Sequence, residues 1–265
     1  MVKKMALSNM VSVLLVILVN YSSQVNRFNN TNIGEVSSTY DNLFTPAGYA
    51  FAIWGIIFLS LFAFGIFGIY RAFFSKSDTL VLEQLGWWFV LANILNCGWV
   101  LAFVYGAIGL SVVIMVGILF SLLKIVINTN MERWDAPIDI LAFIWWPICL
   151  YSGWITVATI ANIAVFLVKL KWDGAFMDAV QWTIVMIVAA TAINFMMVLK
   201  RNMREFAAVG IWALVAIYVR HSETFPEIAT IALIGALLLL VIISVHAYRN
   251  RATNPAVKLW QRLKK

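Results

Sequence analysis

Charged residues in this chain are gathered into short clusters, and the stretches between them are almost wholly apolar. The charge-free runs cover residues 5–26, 42–70, 84–123, 140–168, 179–199, 206–219 and 228–245. A helix that crosses the roughly 30 Å hydrocarbon core of a bilayer needs about 20 apolar residues, and most of these runs have that length. The run 84–123 is too long for one crossing, because as a single helix it would extend about 60 Å. It must fold back, and Tyr105-Gly106-Ala107-Ile108-Gly109, with two glycines, is the place for a hairpin. Counted this way the pattern predicts about eight transmembrane helices, an all-α polytopic membrane bundle with no soluble domain.

Individual runs carry further signals. Lys3 and Lys4 before an apolar core suggest a signal peptide, but Asn20-Tyr21-Ser22-Ser23 is a poor cleavage site, so the first run reads as a retained span. In the second run Thr45 is placed to cap a helix and Pro46 to be its first residue. Pro147 lies inside the fifth span and predicts a kink. The run 206–219 would reach only about 21 Å as a helix, which leaves a re-entrant segment open. The distribution of basic residues favours a full crossing. With eight crossings and a cytoplasmic N-terminus, only Arg27, Lys169, Lys171 and Arg220 of the 19 Lys and Arg residues fall outside. That asymmetry places both termini in the cytoplasm.

Composition confirms the class. Apolar residues make up 63% of the chain and charged residues 12%, against about 45–50% and about 25% in soluble domains. The net charge of +7 becomes a cytoplasmic collar and no nucleic-acid patch. Residues 256–265 read as a short basic amphipathic helix on anionic membrane lipid or as a solvated tail. Cys97 and Cys149 sit in apolar runs without a CxxC or CxxH pattern, so neither a disulfide scaffold nor a metal site is expected. His221 and His246 read as interfacial histidines at run ends.

Ionisable groups are confined to run ends, and along the chain there is no carboxylate pair, no histidine cluster and no mid-span lysine. These absences argue against proton-coupled transport and most membrane enzymes. The runs hold neutral polar groups instead: Asn93, Asn96, Thr156, Thr159, Asn162, Gln181 and Asn194. They suit interhelical hydrogen bonds or the polar anchors of a ligand pocket. Of the 12 tryptophans, Trp87, Trp88, Trp134, Trp172 and Trp260 are placed for an interfacial belt, and Trp54, Trp99, Trp145, Trp146, Trp154, Trp182 and Trp212 lie farther in.

Three strings carry a resemblance. Phe44-Thr45-Pro46-Ala47-Gly48-Tyr49-Ala50-Phe51-Ala52-Ile53-Trp54 resembles the segment opening the second helix of the TspO/MBR family, the tryptophan-rich sensory proteins and translocator proteins. Leu95-Asn96-Cys97-Gly98-Trp99 is similar to that family's third-helix string. Tyr151, Trp154, Ala158 and Asn162 match its fifth-helix spacing, with steps of 3, 4 and 4 that share one helical face. Ala47 and Tyr49 stand where the family has proline and tryptophan, and Leu150 replaces a proline.

The resemblance implies a TspO-like five-helix core over 1–169, with three additional helices over 170–250 outside the family pattern and a basic tail over 251–265. It implies a pocket under the loop joining the first two helices, with ligand-binding positions Trp54, Trp99, Tyr151, Trp154, Ala158 and Asn162, and Trp54 and Trp154 stacked on a planar ligand. It further implies an integral membrane binding or sensory protein for a porphyrin, sterol or carotenoid, involved in its transport or regulation, with no required cofactor and with homodimers as in the family. A membrane enzyme that modifies or degrades such a ligand, and a transporter of a neutral solute, are the alternatives.

Overall fold

The computed structural model describes residues 1–251, 255, 257 and 258. The expected amphipathic tail over 256–265, Trp260 included, lies outside the described residues apart from Val257 and Lys258. Every regular element among the described residues is helical. The chain forms α1 (Val2–Val25), α2 (Ile33–Thr39), α3 (Ile53–Phe73), α4 (Leu80–Leu85), α5 (Trp88–Val104), α6 (Ile108–Asn128), α7 (Ile138–Ile140), α8 (Trp146–Lys169), α9 (Ala179–Arg201), α10 (Arg204–His221) and α11 (Pro226–Arg249).

Eight of these helices are long, one for each run or half-run. Six segments, built on α1, α3, α6, α8, α9 and α11, are long and apolar enough to cross a membrane. The other two depart for identifiable reasons. Helix α5 has 17 residues. Helix α10 has 18 residues but includes Arg204, Glu205 and Arg220 at its ends. It is one uninterrupted helix, about 27 Å long at 1.5 Å per residue.

Turn chemistry follows the sequence at the hairpin, where α5 ends at Val104 and α6 begins at Ile108. Gly106 takes a φ of +72°, a left-handed conformation open to glycine without a Cβ penalty. The start of α3 corrects the expectation. Its N-cap is Ala52, preceded by a 3₁₀ turn over Gly48–Ala52, so Thr45 and Pro46 lie upstream of the helix. Their backbone is engaged elsewhere: Thr45 O accepts from Arg220 and Ala47 N–H donates to Ala216 O. Beside Pro147 the backbone leaves the regular α form. A π turn over Leu141–Trp145 joins α7 to α8 directly before it, because proline cannot donate to the preceding turn.

Helix α1 packs on α3 and α5, α5 on α6, and α6 on α8. Val13 and Val16 of α1 are fully buried, so the first run is an integral part of the bundle. Helix α10 then lies against α8, and α9 and α11 lie against α10. The α8–α10 contact is close because Gly153 presents no side chain. A Cβ there would stand 2.9 Å from Phe206 O and 3.1 Å from Val209 Cβ. In a bilayer, such small-residue contacts supply packing that the hydrophobic effect does not.

Candidate functional site

Neutral polar side chains stitch the first helices together. Asn20 Nδ2 of α1 donates to Asn96 Oδ1 of α5 at 3.0 Å, and Asn96 Nδ2 donates to Tyr151 OH of α8 at 3.0 Å. Asn93 Nδ2 donates to Ser12 Oγ at 3.0 Å. Trp99 Nε1 donates to Asn162 Oδ1 at 2.8 Å, and Asn162 Nδ2 donates to Ser111 Oγ at 2.9 Å. Each bond satisfies a group that would otherwise be orphaned in an apolar interior. Thr156 and Thr159 donate to carbonyls of their own helix, Ser152 O and Ile155 O. Asn194 Nδ2 does the same toward Ala190 O. Gln181 completes a capping box with Asp178 at the start of α9. The polar residues of the runs therefore serve structure, and Asn162 alone among them also reaches the pocket described next.

That pocket lies between α3, α5 and α8, beneath the loop that runs from α2 to α3. Trp54, Trp99, Trp154, Ala158 and Asn162 line it, together with Ile33, Ser37, Pro46, Phe51 and Phe103. Five of the six residues expected at the site thus face one space. Tyr151 stands behind them: it is fully buried, its ring centroid 6.0 Å from that of Trp54. Trp54 and Trp154 meet at 83° with centroids 6.5 Å apart. The two rings thus form a corner, with one edge directed at the other's face. The cavity is about 50 Å³, well below the roughly 300–1,000 Å³ of typical ligand pockets. The pocket is narrow and partly open to its surroundings.

Helix α10 holds the roof of this pocket. Trp212 Nε1 donates to Ala50 O at 3.0 Å, and Ala47 N–H donates to Ala216 O at 3.2 Å. The Arg220 guanidinium donates to Asn42 O at 3.0 Å and Thr45 O at 2.7 Å, and pairs with the Asp41 carboxylate. His221, 2% exposed, places Nε2 2.8 Å from Leu43 O, so it is a buried loop contact instead of an interfacial side chain. The two unusual residues of the opening motif both face α10. A proline at 47 would lack the N–H that bonds Ala216 O, and Tyr49 packs edge-on against Trp212 at 5.4 Å.

A second constellation stands at the other end of α8 and α10. Along the chain no two carboxylates look paired, yet folding brings Glu132, from the loop after α6, beside Glu205 of α10 and Cys149 of α8. Burial first, and the charge of Glu205 second, push the Glu132 carboxyl up to about 8. His246 also borders this region, with Nε2 2.8 Å from Asn202 Oδ1. No sequence signal marked this cluster, because its members come from three separate segments.

The fold defines the class: a multi-pass helical membrane protein. The model of the TSPO-like protein family matches residues 6–245, and the chain belongs to that family. The match continues through α9, α10 and most of α11, beyond the segment whose strings carry the resemblance. Neither the curated proteins nor the solved structures compared with the chain gave a match.

Proposed function

We propose that this protein binds an apolar planar or polyene ligand, of the tetrapyrrole, sterol or carotenoid type, in the pocket between α3, α5 and α8, and serves in its sensing, transport or regulation. One observation supports the reading above others. Five motif residues from three helices converge on one apolar space under a single loop, and that loop is tied down by a fourth helix. Aromatic faces, a small residue at Ala158 and the amide of Asn162 suit a ligand recognised by shape, stacking and one neutral hydrogen bond. No charged side chain lines the space, so the propionates of a tetrapyrrole would lie at the open edge of the pocket and the apolar ring within it. A ligand of this size would widen the narrow cavity.

Protoporphyrin titrated into the purified protein should quench tryptophan fluorescence saturably. Trp54→Phe and Trp154→Phe should each weaken binding by about three- to tenfold, since an aromatic contact contributes about 0.5–1.5 kcal/mol. Unchanged quenching curves in both variants would remove the pocket from the proposal.

The proposal includes eight crossings with both termini in the cytoplasm. The positive-inside asymmetry supports it, and so does the uninterrupted span of α10. A tag after residue 265 should be protected from extracellular protease in intact cells and cleaved only after permeabilisation. Cleavage in intact cells overturns this topology.

A further inference from the structure

We infer that Glu132, Glu205 and Cys149 form a binding site for a divalent cation of the zinc class, at the end of the bundle opposite the aromatic pocket. Oxygen atoms of the two carboxylates and the Cys149 sulfur all lie within 4.8 Å of one another. A tetrahedral zinc ion has its ligands at about 2.0–2.3 Å, which places ligand atoms roughly 3.3–3.8 Å apart. Small side-chain rotations of the two glutamates close that gap. The three groups come from the loop after α6, from α8 and from α10, so an ion at this point would tie three elements together.

Glu132 and Glu205 line a cavity of about 200 Å³, and Cys149 lies behind its wall with Sγ 3.9 Å from Met131 Sδ. Trp145 lines the cavity and is 1% exposed, and its indole N–H has no acceptor among the described residues. Glu205 Oε2 is equally buried and equally unpartnered among them. A buried donor and a buried acceptor left open are costly. A cation answers the open carboxylate oxygen, which would bind the ion directly. The two carboxylates also repel each other, and a doubly charged ion between them turns that repulsion into attraction.

The ligand set selects the metal. A thiolate with two carboxylates suits zinc or cadmium, whereas magnesium and calcium require oxygen ligands throughout. Arg204 and Lys258 border the cavity and offset part of its negative charge, and Lys258 is itself paired with Asp135. Arg133 borders the cavity too, so three carboxylates (Glu132, Asp135, Glu205) and three basic groups balance before binding, and zinc with a Cys149 thiolate adds one net positive charge.

The test uses the full chain in detergent micelles, stripped with a chelator. Zinc titrated calorimetrically should bind one ion per chain, and cadmium should produce a near-ultraviolet thiolate charge-transfer band. Cys149→Ser should abolish the band, Cys97→Ser should leave it intact, and Glu132→Gln and Glu205→Gln should each weaken zinc binding at least tenfold. Glu132 lies on a loop, so its variant carries the test if Cys149→Ser does not fold. Absence of a one-to-one isotherm, a band that survives Cys149→Ser, or glutamine variants that bind as tightly as the unaltered chain would overturn the site. The aromatic pocket shares none of these residues, so porphyrin quenching measured in parallel separates the failure of one proposal from that of the other.

Discussion

Replacing Gly153 by valine is expected to destabilise the protein by about 2–3 kcal/mol, the upper range for forcing a side chain into a packed interior. The expected effect is large because of what the new side chain meets. Its Cβ would stand 2.9 Å from Phe206 O and 3.3 Å from Phe206 Cα, and backbone cannot rotate aside as a side-chain tip can. Helix α10 must therefore move off α8. The contrast with Gly210 makes the argument specific. The three atoms nearest a Cβ at Gly210 all belong to the Asn194 amide, at 2.5–2.7 Å, so the strain falls on a side chain, which can turn at the cost of its bond to Ala190 O, and not on backbone. Thermal unfolding in detergent should show Gly153→Val losing several degrees in midpoint and Gly210→Ala losing less. Equal losses would mean that the α8–α10 approach does not limit stability. Because α10 also carries the roof contacts, Gly153→Val should weaken porphyrin quenching although the residue lines no part of the pocket.

The second large effect is expected at Arg220. Its guanidinium donates to two loop carbonyls, Asn42 O and Thr45 O, and pairs with Asp41. The Arg220 side chain is 23% exposed and that of Asp41 65%, so the carbonyl bonds carry more of the effect than the screened ion pair. Arg220→Ala should release the loop and reduce ligand affinity by about ten- to a hundredfold, or about 1.4–2.7 kcal/mol. Arg220→Lys keeps the charge but not the planar fork, so it should fall between the two. Hydrogen exchange of the segment 41–47 reports the same event without ligand: protection should drop in Arg220→Ala. Unaltered exchange would show that the roof stands without its clamp.

The helices were legible because charge punctuates them. Lys124, Asp139, Lys169 and Lys200 each mark the place where an apolar run must stop, and a helix ends or begins close to each. The shared face of Trp154, Ala158 and Asn162 was legible for a similar reason, since their spacing follows the helical period. The start of α3 was not. Thr45-Pro46 has the form of a helix start, but its backbone groups are taken by α10, and a contact across about 170 residues leaves no local trace. Arg220 reads in sequence as an ordinary interfacial anchor, and nothing in its neighbours reveals three loop partners. The three matching strings gave the last three helices no role for the same reason: α10 acts through Ala47 and Tyr49, the positions where the opening motif departs. Glu132 and Glu205 stand 73 positions apart in the numbering, so their meeting is a property of the bundle alone.

The narrowness of the cavity has a kinetic meaning. A ligand larger than about 50 Å³ needs the pocket to widen, and we expect its arrival to wait on movement of the roof. The observed association rate should then level off at high ligand concentration, at a ceiling equal to the opening rate. The same roof delays departure, and a bound molecule should reside for as long as Arg220, Trp212 and Ala47 keep their hold.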